Sequence, residues 1–223
     1  MFFLKSIIQQ KNTDREIMSH ILNIKTAGIP LKQAEKALIM VHGRGGSAQD
    51  IISLSQHLNV KEYAILAPQA LNHTWYPLSF MAPVDQNEPW LSSALEMVGE
   101  TVRAVTDAGI APEDIYFFGF SQGACLTLEF LARNARKFGG AVAIIGGVIG
   151  DKINRENYKG DFAGTPVVLG TSNPDFHVPV ERVYATANIL REMNAEVTEK
   201  VYANFGHSIN QEEIELANSI VFK

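Results

Sequence analysis

The chain has 223 residues and a formal net charge of −5, with 46% hydrophobic and 19% charged residues. That composition excludes a disordered or collagen-like chain, and the acidic balance argues against a broad electrostatic grip on nucleic acid. One cysteine, Cys125, excludes an internal disulfide and a cysteine-rich zinc site.

No apolar run approaches the ~18 residues that span a bilayer, so no stable membrane insertion is expected. Residues 1–19 turn polar after Met1-Phe2-Phe3-Leu4 and read as an N-terminal extension. Lys5 interrupts the apolar start and no small-residue cleavage site follows, so a cytoplasmic setting is expected rather than secretion. A single domain is expected over residues 20–223.

Ile21-Leu22-Asn23-Ile24-Lys25 alternates weakly and predicts an edge strand. Leu38-Ile39-Met40-Val41 is a continuous apolar run closed by His42-Gly43, the pattern of a buried parallel strand. A helix-period segment follows over 47–58, with Ile51, Leu54 and Leu58 apolar. Ala64–Ala67 is a second buried strand, stopping at Pro68. Asn87 is the expected N-cap of a long helix, with Pro89 in its first turn. Leu91, Ala94, Leu95, Val98, Val102 and Val105 form its apolar stripe, which ends near Gly109. Strands are expected at 115–118, 141–145 and 166–169, each closed by glycine, and an alternating outer strand at 197–202. Helices are expected at 121–136, 180–194 and 210–222. Strands alternating with helices imply an α/β fold with a mostly parallel sheet covered on both faces. Ligands bind such sheets at the carboxyl ends of the strands.

The chemistry-bearing residues fall at those ends. Gly119-Phe120-Ser121-Gln122-Gly123 follows a predicted strand and opens a predicted helix, the context of a nucleophile elbow. G-x-S-x-G alone arises by chance in roughly one chain in ten of this length, so the strand–helix context carries the weight. The alternative is a glycine-rich turn holding a solvated serine. A nucleophilic serine needs a base, and the hydrolase order is serine, acid, histidine. Of six histidines only His177 and His207 follow Ser121. His177 is too near the best acid to leave its loop, whereas His207 lies between the last strand and the last helix. Glu129, Glu181, Glu192 and Glu196 are assigned to predicted helices, so most are expected on solvated faces. Asp175 is the one carboxylate at a strand's carboxyl end, suited to hold the His207 ring; the alternative is a turn or helix cap. Backbone N–H donors for an oxyanion are expected from Gln122 and from Arg44 in the glycine-rich loop His42–Ser47. That loop lacks the Gly-Lys-Ser/Thr ending of a phosphate-binding loop.

Together, His42-Gly43-Arg44-Gly45-Gly46, Ala67-Pro68-Gln69, Gly119–Ala124, Asp175 with Val178-Pro179, and Gly206-His207 occur in the order of one family. Over residues 20–223 the chain resembles the phospholipase/carboxylesterase group of α/β-hydrolases, which includes acyl-protein thioesterases and bacterial carboxylesterases. The resemblance implies an α/β-hydrolase fold without a large cap. It also implies a Ser121–His207–Asp175 triad, an oxyanion hole from the Arg44 and Gln122 amides, and hydrolysis of small-molecule esters or thioesters without metal or organic cofactor. Departures from the family pattern bear on substrate preference and leave the reaction class alone. Many members carry a hydrophobic residue at the Arg44 position and an acidic residue near Gly46, and the common Gly-Asp-x-Asp-Pro reads Gly170-Thr171-Ser172-Asn173-Pro174-Asp175 here.

Segment 70–90 is the expected substrate-side loop, with Trp75, Tyr76 and Phe80 as candidate walls of an acyl pocket or as pins of the loop to the domain. Cys125, one turn past Ser121, fits the buried stripe and reads as packing. The Arg44 guanidinium is read either as a surface charge paired with a carboxylate or as a contact for an anionic substrate. The reading as a whole is an ester hydrolase for small or medium acyl groups. A lysophospholipase or long-chain acyl-thioesterase is the alternative within enzymes. A non-catalytic binding protein is the alternative outside them, and the complete set of three residues argues against it.

Overall fold

A computed structural model describes residues 19–223. The expected extension over residues 1–19 therefore falls, up to residue 18, outside the described residues. Seven strands form one sheet: β1 (Ile24–Gly28), β2 (Lys36–Val41), β3 (Tyr63–Pro68), β4 (Ile115–Phe120), β5 (Gly140–Ile144), β6 (Pro166–Asn173) and β7 (Glu196–Ala203). Their spatial order is β1-β3-β2-β4-β5-β6-β7, and only β1 runs antiparallel to its neighbour. Among the described residues five α-helices accompany them: α1 (Ala48–Ser53), α2 (Trp90–Asp107), α3 (Gln122–Arg133), α4 (Val180–Glu192) and α5 (Gln211–Ile220). Among the described residues no helix is long and apolar enough to cross a membrane.

The layering follows from handedness. Right-handed crossovers that step in opposite directions along a sheet lie on opposite faces. The β2–α1–β3 unit steps one way; β3–α2–β4, β4–α3–β5 and β6–α4–β7 step the other way. Helix α1 therefore covers one face, and α2, α3 and α4 the other. Helix α5 joins the α1 face, where Asn218 bonds the His57 carbonyl and the Asn59 amide at 2.9 and 2.8 Å. Strands β2 to β5 are buried from end to end, apart from their outermost residues, as their unbroken apolar runs require.

Several boundaries differ from those expected. The edge strand is displaced to Ile24–Gly28, because its partner β3 ends at Pro68 opposite Ile24. Ile21, expected in the strand, is 72% exposed beyond that end. Strand β6 continues past Gly170 to Asn173 because β7 pairs with its whole length. Gly170 is a point of close approach and not a stop: a Cβ there would lie 2.3 Å from Glu213 Oε1. Asn87 is not a helix cap. Its buried side chain accepts from the Leu78 amide and donates to the Ser79 carbonyl, and α2 starts three residues later. Glu88 takes the capping work, accepting from the Ser92 amide and hydroxyl. Helix α1 is short and carries a capping box between Ser47 and Asp50; a 3-10 turn over Leu54–His57 fills the rest of the expected segment.

Candidate active site

Ser121 stands alone between β4 and α3, with φ 53° and ψ −120°. A side chain held at such angles costs about 1–3 kcal/mol and persists only where the surroundings over-determine it. Here two glycines do so. A Cβ on Gly119 would meet Ala124 Cα and the Gly123 carbonyl oxygen at 2.7 Å. A Cβ on Gly123 would meet the Val41 carbonyl oxygen at 2.2 Å. Strand, helix and the neighbouring β2 end thus touch backbone to backbone, and the serine is left at the tip of the turn.

His207 lies on the loop after β7, with its Nε2 2.7 Å from Ser121 Oγ. Its Nδ1 is 2.8 Å from Asp175 Oδ2, and the Asp175 side chain is fully buried. The other Asp175 oxygen accepts from the His177 and Val178 amides at 2.8 and 2.9 Å. Burial pushes the Asp175 carboxyl up, but the His177 amide, the His207 ring and the Val178 amide outweigh it and hold the group below its ordinary value. An ionised carboxylate can only accept. The proton of a neutral His207 ring therefore sits on Nδ1, and the Nε2 lone pair faces the serine hydroxyl.

Support for this row comes from a residue that the sequence pattern does not single out. Buried Ser172, near the end of β6, accepts from the Phe205 and Gly206 amides at 3.1 and 2.9 Å. It ties the histidine loop to the strand that carries the acid. No local motif announces it, because its partners lie more than 30 residues away.

The glycine-rich loop after β2 is fixed from several sides. His42 donates from Nδ1 to the Gly43 carbonyl and accepts at Nε2 from the Ala70 amide. Burial lowers its pKa, more than the Gly43 carbonyl raises it, so the ring works as a neutral clamp. The Gly45 amide donates to the His73 carbonyl at 2.7 Å. Gln69 accepts from the Ala48 amide and donates to the Ala70 carbonyl. The Gln122 side chain clamps the elbow to the next loop, accepting from the Trp75 amide and donating to the Tyr76 carbonyl.

A cavity of about 620 Å³ opens over Ser121 and His207. Tyr76 and Phe80 line it, as does Cys125, whose thiol burial pushes up to about 12. Trp75 does not. It is fully buried, its indole N–H donates to the His42 carbonyl, and its ring makes tilted contacts with the His20 and His42 rings. Of the three aromatics expected as pocket walls, Trp75 is therefore a loop pin. The Arg44 guanidinium lines the cavity and donates to Thr74 Oγ1 and to the Pro77 and Leu78 carbonyls. Glu129, expected on a solvated face, is buried and accepts from Arg133, Tyr158 and the Ile149 amide. Among the described residues no group of three His, Cys, Asp or Glu is placed to hold a metal.

The sequence profile of the phospholipase/carboxylesterase family matches residues 24–222. Acyl-protein thioesterase 1 of Saccharomyces cerevisiae is 27% identical over 217 residues, covering 86% of this chain and 94% of that protein. A probable carboxylesterase of Arabidopsis thaliana is 29% identical over 161 residues, covering 70% of this chain and 59% of that protein. The crystal structure of a phospholipase/carboxylesterase from Dyadobacter fermentans superimposes with a TM-score of 0.91 at 55% identity, over 92% of this chain and 98% of that one. The chain belongs to the phospholipase/carboxylesterase family and has its α/β-hydrolase fold.

Proposed function

We propose that this chain, an ester hydrolase by family, cleaves small or medium acyl esters through an acyl-enzyme on Ser121. The observation that carries the reading is the unbroken series from Ser121 Oγ through the His207 ring to Asp175, at 2.7 and 2.8 Å. Ser121 Oγ attacks the acyl carbon while His207 Nε2 takes its proton. The Arg44 and Gln122 amides hold the oxyanion. Collapse breaks the acyl C–O bond, and His207 returns the proton to the departing alcohol. Water then attacks the acyl-enzyme, its proton passing to His207, and the acid leaves as Ser121 regains its proton. Asp175 keeps the Nδ1 proton in place and stabilises the imidazolium. Residues 20–223 form the one catalytic domain, acting on small-molecule substrates in the cytoplasm.

A second reading is favoured by one surface feature. Phe176 and Leu78 both line the cavity and are 98% and 43% exposed. A long acyl chain would cover both, as expected of a lysophospholipase or acyl-thioesterase. Hydrolysis of p-nitrophenyl esters of increasing acyl length, with Ser121→Ala in parallel, tests both readings. Loss of turnover in the variant with a short-acyl optimum supports the first, and a long-acyl optimum supports the second. Wild-type turnover in Ser121→Ala refutes both.

A further inference from the structure

We infer that the cavity over Ser121 selects esters carrying a second, uncleaved carboxylate, which Arg44 binds. The inference rests on the esterase reading and names its substrate class. The chain as a whole is acidic, at −5. The cavity lining departs from that balance: Arg44 is its permanently charged side chain and no aspartate or glutamate lines it, Asp175 lying behind the His207 ring. A cleft of one sign between low-dielectric walls concentrates ligands of the opposite sign.

Arg44 is the centre of this field. Among the described residues it has no ion-pair partner. Its three acceptors are the Thr74 hydroxyl and the Pro77 and Leu78 carbonyls, all uncharged. These bonds hold the guanidinium still without neutralising it. They use both Nη1 protons and one Nη2 proton, which leaves Nε–H and one Nη2–H of the five donors. Two donors on a pinned planar fork match the two oxygens of a carboxylate, and the pinning lowers the entropy lost on binding. His177 adds an imidazole to the same lining, its ring 5.0 Å from that of His207.

The test compares matched esters. Mono-p-nitrophenyl glutarate and p-nitrophenyl valerate differ by a carboxylate in place of a methyl group on the acyl side. The 4-carboxyphenyl and 4-carbamoylphenyl valerates place the same difference on the alcohol side. We expect the wild-type kcat/KM to favour the anionic member of at least one pair by about tenfold or more, mainly through KM, as one charge-assisted contact warrants. The preference should shrink as salt is raised. Arg44→Gln should bring the ratio close to one and Arg44→Lys should retain part of it. Because the ratio is taken within each variant, any general loss of catalysis cancels, and thermal melting checks that each variant folds. Wild-type turnover of the neutral esters with no preference in either pair overturns the inference and leaves the esterase reading standing. If no ester is turned over, the esterase reading fails. Glutarate titrated calorimetrically into the wild-type protein then decides the inference. Saturable, salt-sensitive binding that Arg44→Gln abolishes sustains the carboxylate site at Arg44 but not selection among esters, and absence of binding overturns the inference entirely.

Discussion

Asp175→Asn changes one atom of the proposed triad and reverses a hydrogen bond. The amide oxygen can keep the two bonds that Oδ1 accepts from the His177 and Val178 amides. The amide NH₂ then faces His207 Nδ1, which is a donor in the wild type. Two donors cannot pair, so the ring gives up its Nδ1 proton and carries it on Nε2 instead. Nε2 loses the lone pair that faces Ser121, and the serine loses its base. The expected fall in kcat is about 10³- to 10⁴-fold, or ~4–5.5 kcal/mol of transition-state stabilisation, with little change in KM. Folding should suffer far less, because both amide bonds survive. Loss of one charge-assisted bond costs about 1.5–3 kcal/mol, equivalent to ~3–12 °C in Tm for a chain this long. The melting curve also carries a sign. Asp175 is held below the ordinary carboxylate range. Its contribution to stability is present above the unfolded-state pKa and is lost as pH falls through the folded-state value. The variant should therefore show a flatter loss of Tm on acidification. Initial rates on p-nitrophenyl butyrate and melting curves from pH 3 to 8 measure both effects. A kcat within tenfold of wild type would refute Asp175 as the group that orients His207.

Ser172→Ala removes the acceptor of the Phe205 and Gly206 amides, so His207 should lose its alignment with Ser121. We expect kcat to fall about tenfold and Tm to drop by ~2–8 °C; an unchanged kcat would mean that other contacts hold the loop. Glu213→Gln addresses pH. Burial lifts the Glu213 carboxyl to about 7, against the Asn210 amide bond that lowers it. The folded state therefore holds a proton that the unfolded state releases between the ordinary carboxylate pKa and about 7, so stability falls as pH rises through that window. The amide variant can keep the capping bond and should remove this slope, gaining about 3 kcal/mol at pH 8. Equal Tm differences from wild type at pH 5 and pH 8 would contradict it.

The elements most readily read from the sequence are those governed by local sterics and by burial on both faces. Leu38–Val41 and Ile115–Phe118 show the unbroken apolar runs expected of interior strands in a covered sheet, and the sheet buries both. The elbow is legible for a similar reason: the backbone approaches at Gly119 and Gly123 leave no room for a Cβ, whatever surrounds them. Ser121, Asp175 and His207 are legible as a set because each follows a strand whose carboxyl end lies on one edge of the sheet. Side-chain roles inside the loops are a different matter. Asn87 has the composition of a cap, yet Leu78 and Ser79 claim its side chain. Glu129 lies on a helix whose other face its spacing cannot identify, and a loop 20 residues away supplies its buried partner at Ile149.

Interior strands, the turn that must lack side chains, and the chain order of the proposed serine, acid and histidine can all be read from the chain alone. Those properties depend on neighbours within a few residues, and the chain records them directly. It takes the folded arrangement to show that Trp75 pins a loop and leaves the cavity, that Ser172 braces the histidine loop, and that Arg44 is held by carbonyls with no counter-charge among the described residues. Each of these rests on hydrogen bonds to atoms about 30 residues away. Such partners exist only once the strand order has brought the loops to one edge of the sheet.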